Sequence, residues 1–205
     1  QQVKTERGKK SYRNFLRKFC ILKEELKIDM DEYDLNYYTY GLRIYKNMPL
    51  IEPVETKENL RIEELVIVVD TSYSTSGELV KKFLRETFTI LSETDSFFRK
   101  RKIHIIQCDE LVHSDITVTG DTDIDILINN FDLAGGGNTD FRPAFEYVNN
   151  LIDTGEIKKL QGLLYFTDGK GKYPKKKMPY NTAFVFIDKL SETAVPAWAM
   201  KVSLE

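Results

Sequence analysis

The sequence predicts an α/β fold, a mostly parallel central sheet with helices on both faces, preceded by an N-terminal helical extension. Three observations predict it. From Leu65 onward, short apolar runs of strand length alternate with segments of helical periodicity. Two of those runs, "LVIVVD" and "LQGLLYFTDG", end on an aspartate. A glycine-rich loop, "LAGGGNTD", opens one of the helical segments.

Taken in order, residues 1–60 read as an extension and residues 61–205 as the α/β domain. In the opening stretch Phe15, Phe19, Leu22 and Leu26 recur at helical spacing, which predicts one amphipathic helix with a basic, solvated face. "YDLNYYTYGLRIYKNMPLIEPV" is aromatic-rich and ends in prolines, so it reads as an irregular strap; "ETKENLRIEE" reads as a charged connector. "LVIVVD" is apolar without alternation, as a strand covered on both faces should be. "SGELVKKFLRETFTILSET" is helical, and "KIHIIQC" with "LVHSDITVTG" form a hairpin divided by "DE". "DTDIDILINNF" is a short helix capped by Asp121 or Thr122, and "FRPAFEYVNNLID" is the helix after the glycines. "LQGLLYFTDG", "TAFVFID" and "AWAMKVSL" supply the last strands.

Composition narrows the function classes. With 205 residues the chain can bury a substantial core. Hydrophobic and charged fractions of 41% and 30% are ordinary, and a net charge of -2 favours neither nucleic acid nor a membrane surface. No apolar run reaches the length of a membrane span and no signal-peptide pattern is present. Gln1 in place of Met reads as the start of a fragment or processed product. Cys20 and Cys108 alone make no disulfide framework, so a reducing, cytoplasmic home is expected. No H-E-x-x-H, P-loop or G-x-G-x-x-G motif occurs. His104, Cys108 and His113 look like a zinc trio but lack the spacing of convergent ligands, so they are expected to be ordinary strand residues.

In an open α/β sheet, sites form beyond the carboxyl ends of strands, where the strand order reverses. Three segments bring oxygen ligands there: Asp70, Ser72 and Ser74 in "VVDTSYS", Thr139 and Asp140 in "GGGNTDF", and Asp168 in "LLYFTDG". Hydroxyls and carboxylates without His or Cys suit Mg²⁺, Mn²⁺ or Ca²⁺. Helix capping and turn formation would explain Asp70 and Ser72 alone, but leave Thr139 and Asp168 without a role. Asp140 reads as a helix cap or a support for Thr139, and Asp109 in "QCDEL" as a hairpin-turn residue with a possible supporting part.

The order D-x-S-x-S, then T, then D resembles the metal-ion-dependent adhesion site (MIDAS) of von Willebrand factor A (VWA) domains, a three-layer Rossmann-like fold. The context "AGGGNTDFRPAFEYV" and "LLYFTDGKGKYP" is similar to the VWA-like domain at the C-terminus of bacterial metallopeptidase-family proteins, over residues 65–190; over 1–60 the likeness is thin. The resemblance implies that Ser72 and Ser74 bind a divalent cation directly, that Asp70 and Asp168 act directly or through water, and that Thr139 joins in one conformational state. It also implies a protein partner that supplies an Asp or Glu carboxylate, by analogy one such as a MoxR-type AAA+ ATPase. Catalysis, if the parent has it, is expected upstream of this chain. One position departs from the family pattern. Tyr73 stands where such sites have Gly, so it either crowds the rim or turns its hydroxyl toward the ligand. The basic stretch "KGKYPKKKMPY" follows Asp168 and reads as a solvated loop or as a border that steers an acidic partner, with single-stranded nucleic acid a minor option.

Overall fold

A computed structural model describes residues 12, 16, 21–61, 64–73, 77–92, 101–186 and 195–203. The chain divides into two units, Ile21–Arg61 and the remainder, Gln1–Cys20 with Ile62–Glu205. In the smaller unit, β1 (Ile21–Tyr33) pairs antiparallel with β2 (Pro53–Arg61), and α1 (Leu35–Tyr45) lies between them in sequence. Asp34 caps α1 by accepting a hydrogen bond from the Asn36 N–H at 2.7 Å.

Three expectations are corrected here. The helix does not run through Leu22 and Leu26, which lie on β1; Phe15 and Phe19 lie outside the described residues. Leu26, Ile28 and Met30 also recur at period two, and that is the period the backbone follows. The middle of the aromatic strap is the helix α1, and the charged connector is strand β2. That charged strand pairs antiparallel with β1, with Glu24 in register opposite Glu58 and Glu25 opposite Lys57.

The larger unit continues with β3 (Glu64–Asp70), α2 (Gly77–Ser92), β4 (Lys102–Cys108) and β5 (Val112–Val118). It is completed by α3 (Ile124–Asn129), α4 (Arg142–Asp153), β6 (Gly162–Thr167), β7 (Thr182–Phe186) and β8 (Met200–Ser203). The sheet order is β5-β4-β3-β6-β7-β8, parallel throughout except for the β4–β5 hairpin. Asp123, rather than Asp121 or Thr122, caps α3, through its carboxylate and the Ile126 N–H. Thr122 instead accepts from the Thr119 N–H and closes the preceding turn.

Alternate residues of the central strands feed two separate cores, which is why those strands are apolar without alternation. Leu65, Ile67, Val69 and Phe166 pack with Phe83, Leu84 and Phe88 of α2, where Phe83 stacks on Phe166 at 4.2 Å. Tyr12 and Leu16 belong to this core too, and the fully buried Tyr12 hydroxyl bonds Thr87 Oγ1 at 2.8 Å. Val66, Val68, Tyr165 and Phe184 pack on the opposite face with Phe141, Phe145 and Val148. The result is a three-layer α/β domain. The chain leaves β3 for β4 on one side and returns to β6 on the other, so the strand order reverses at β3. Its carboxyl end is the expected position for a site.

Candidate functional site

Asp70 is the last residue of β3 and is fully buried. Its Oδ1 accepts the Ser72 N–H at 2.9 Å, and its Oδ2 accepts the Thr167 hydroxyl at 2.6 Å. Thr167 Oγ1 in turn accepts the Gly169 N–H at 3.0 Å, so one carboxylate fastens the turns after two neighbouring strands. Burial pushes the Asp70 carboxyl up, hydrogen bonds from Thr167 and Ser72 oppose this, and the like charge of Asp168 adds to it. Asp168 is half-buried, and its Oδ1 closes a tight turn by accepting the Lys170 N–H at 3.0 Å.

Ser72 is buried beside Asp70, whereas Tyr73 is 94% exposed. The Tyr73 side chain projects into solvent. Ser74 lies outside the described residues.

The glycine loop is wedged against this edge. Gly135 and Gly136 have φ of 142° and 119°, a region that favours glycine. A Cβ on Gly135 would lie 2.3 Å from Thr71 Oγ1, so only glycine permits this approach. Gln107 holds the start of the loop: its Oε1 accepts the Ala134 N–H at 2.7 Å and its Nε2 donates to the Asp132 carbonyl. Asp109 holds the remainder. Its Oδ2 accepts the Gly137 N–H at 3.0 Å, and its main-chain carbonyl accepts the Asp140 N–H at 3.1 Å. Its Oδ1 receives the Leu111 N–H at 2.9 Å and faces His113 Nε2 at 2.8 Å. Burial alone would raise this carboxyl, but the donors from Leu111, His113, Gly137 and Glu110 outweigh it and hold it at about 2.

Thr139 therefore stands on a segment tied at both ends. Its methyl group packs so closely on Gly171 that a Cβ there would lie 2.8 Å away. The Phe141 N–H donates to the Lys172 carbonyl at 3.1 Å, joining the segment to the loop after β6. Asp140 accepts the Arg142 N–H at 3.0 Å and pairs with the Arg142 guanidinium, which holds its carboxyl below the usual range. It thus braces the start of α4.

Thr167 and Asp109 were not among the predicted site residues. Thr167 was marked only by a hydroxyl one place before Asp168, and its partner depends on the β3–β6 register. The zinc trio does not converge: His104 faces Asp115 at 3.0 Å, His113 faces Asp109, and Cys108 is buried. Among the described residues no cluster of three or more His, Cys, Asp or Glu is placed to hold a metal.

The donor set fits a hard cation. The Asp70 oxygens accept hydrogen bonds from Ser72 and Thr167, and a carboxylate has further lone pairs that an ion or its water can use. Asp70 also feels the like charge of Asp168. Thr71 Oγ1, on the next residue, is buried with no hydrogen-bond partner among the described residues.

Among the described residues, no helix is long and apolar enough to cross a membrane. No curated protein matches the chain. Among solved structures, the crystal structure of the SpRpn10 VWA domain is similar at 16% identity, with a TM-score of 0.48, covering 69% of this chain and 87% of that one. Residues 65–205 match the family described as VWA-like domain (DUF2201), and the chain belongs to that family.

Proposed function

We propose that this chain is a divalent-metal-dependent protein-binding module. Ser72, Ser74 and Thr139 would supply neutral hydroxyls, and Asp70 and Asp168 carboxylates, to Mg²⁺ or to Mn²⁺ or Ca²⁺ in its place. Such a cation, weakly neutralised by hydroxyls, supplies an electrophilic point for an outside carboxylate. An Asp or Glu of a partner protein is the natural ligand, and a MoxR-type AAA+ ATPase is one candidate by analogy. The observation that supports this reading best is the tie between Asp70, Ser72 and Thr167, which gathers the two aspartate-bearing turns onto one strand edge. No catalytic role is assigned to this chain; a hydrolase activity of a longer parent protein would need residues from outside it.

A second reading has its own support. Both Asp70 oxygens already serve the fold, so the same cluster could brace a metal-free scaffold. Thermal unfolding with and without Mn²⁺ separates the two. A cation that binds only the folded state raises the Tm as its concentration passes Kd. The expected result is a rise in wild type that is absent in Ser72→Ala. Equal Tm values in Mn²⁺ and EDTA would favour the scaffold.

A further inference from the structure

Beside the candidate site lies a groove of about 680 Å³, between the start of α4 and the loop after β6. Its floor is apolar, with buried Phe145 and half-buried Met178, and its rim carries Arg142, Lys172, Lys175 and Lys176 against one carboxylate, Glu146. The chain as a whole has a net charge of -2, yet residues 170–177 carry lysines at 170, 172, 175, 176 and 177 and no carboxylate. None of the five forms a close ion pair among the described residues. The loop that borders the groove also touches the segment carrying Thr139. The Lys172 carbonyl accepts the Phe141 N–H, Gly171 packs on Thr139, and the Tyr173 hydroxyl donates to the Gly169 carbonyl at 3.1 Å.

We propose that this groove binds an acidic, extended peptide segment of the partner, with one apolar side chain on the Phe145–Met178 floor and carboxylates against the lysine rim. The inference deepens the metal-site reading and rests on it for the partner's position: the segment runs on from the carboxylate that meets the cation. Exposed lysines in excess over carboxylates on a concave, partly apolar surface favour an anionic chain with an apolar anchor. The lysines set the sign of the partner, and the floor sets its register.

The probe is a fluorescently labelled decapeptide of alternating Glu and Asp with one central Phe, followed by anisotropy in Mn²⁺ and in EDTA. Lys172→Glu/Lys175→Glu/Lys176→Glu should weaken it by at least about tenfold, and the Gln/Asn version of the peptide should bind as poorly. Lys175→Gln alone, too mild to unfold the domain, should weaken it in the same direction. Equal affinity for the reversed variant, or for the amide peptide, would overturn the proposal. Tighter binding of an oligouridylate of similar length would overturn it in favour of nucleic acid. Mn²⁺ titrations on the same proteins keep the two readings apart. Unchanged Mn²⁺ binding with an indifferent peptide sinks the groove alone. Absent Mn²⁺ binding with a lysine-dependent peptide sinks the metal reading and leaves the groove.

Discussion

Two loops of the α/β domain, residues 134–140 before α4 and residues 174–179 after β6, are built in opposite ways. Residues 134–140 are held by side chains from β4 and the turn after it: Gln107 and Asp109 bond Ala134 and Gly137, and the Asp109 carbonyl bonds Asp140. Residues 174–179 form no hydrogen bond among the described residues, and their three lysines are exposed. The first loop fixes where Thr139 stands. The second presents charge on long side chains that can follow a ligand. The difference separates positioning from steering, and each half can be broken without the other.

The largest effect should come from Gly135→Ala. It forces a side chain into a φ of 142° and against Thr71, at a cost on the order of 3 kcal/mol. A small fall in chemical-denaturation stability would show that the loop yields more easily than its packing suggests.

Next is Asp109→Ala, which removes the acceptor for Gly137 and Leu111 and should cost about 2 kcal/mol. The same residue sets an acid dependence. Its carboxyl is depressed to about 2, so its stabilising contribution is full above the ordinary carboxylate value and is lost as pH falls through about 2. Acid unfolding of Asp109→Ala should lack that component. An unchanged acid transition would remove Asp109 as the anchor.

The smallest effect belongs to the other loop. Lys175→Gln should leave stability within about 0.5 kcal/mol of wild type. A larger loss would mean that the lysines hold structure and do not simply await a partner.

Much of this was legible in the sequence, for identifiable reasons. Strands β3 and β6 are buried on both faces, so their apolar runs admit one reading, and Asp70 at the end of β3 and Asp168 just after β6 lie at the carboxyl edge of the sheet. The glycine run marked a tight loop, and two of its residues make the close approaches: Gly135 to Thr71 and Gly137 to Asp109. Asp109 was harder to read. Its role follows from β4 lying beside β3, with Cys108 opposite Asp70, and local spacing does not reveal that register. The Ile21–Arg61 unit misled for another reason. Leu22 and Leu26 satisfy a helical period while Leu26, Ile28 and Met30 satisfy a strand period, and pairing with β2 decided between them.

In the proposed function, Asp70 and its neighbours hold a cation that awaits a carboxylate. A Mn²⁺ titration followed by electron paramagnetic resonance, on wild type and Asp70→Ala with and without acetate, tests it most directly. The expected result is saturable binding in wild type that acetate tightens and the mutation removes, with circular dichroism checking that the mutant is folded. Wild type that binds no Mn²⁺ at millimolar concentration, with or without acetate, would contradict it.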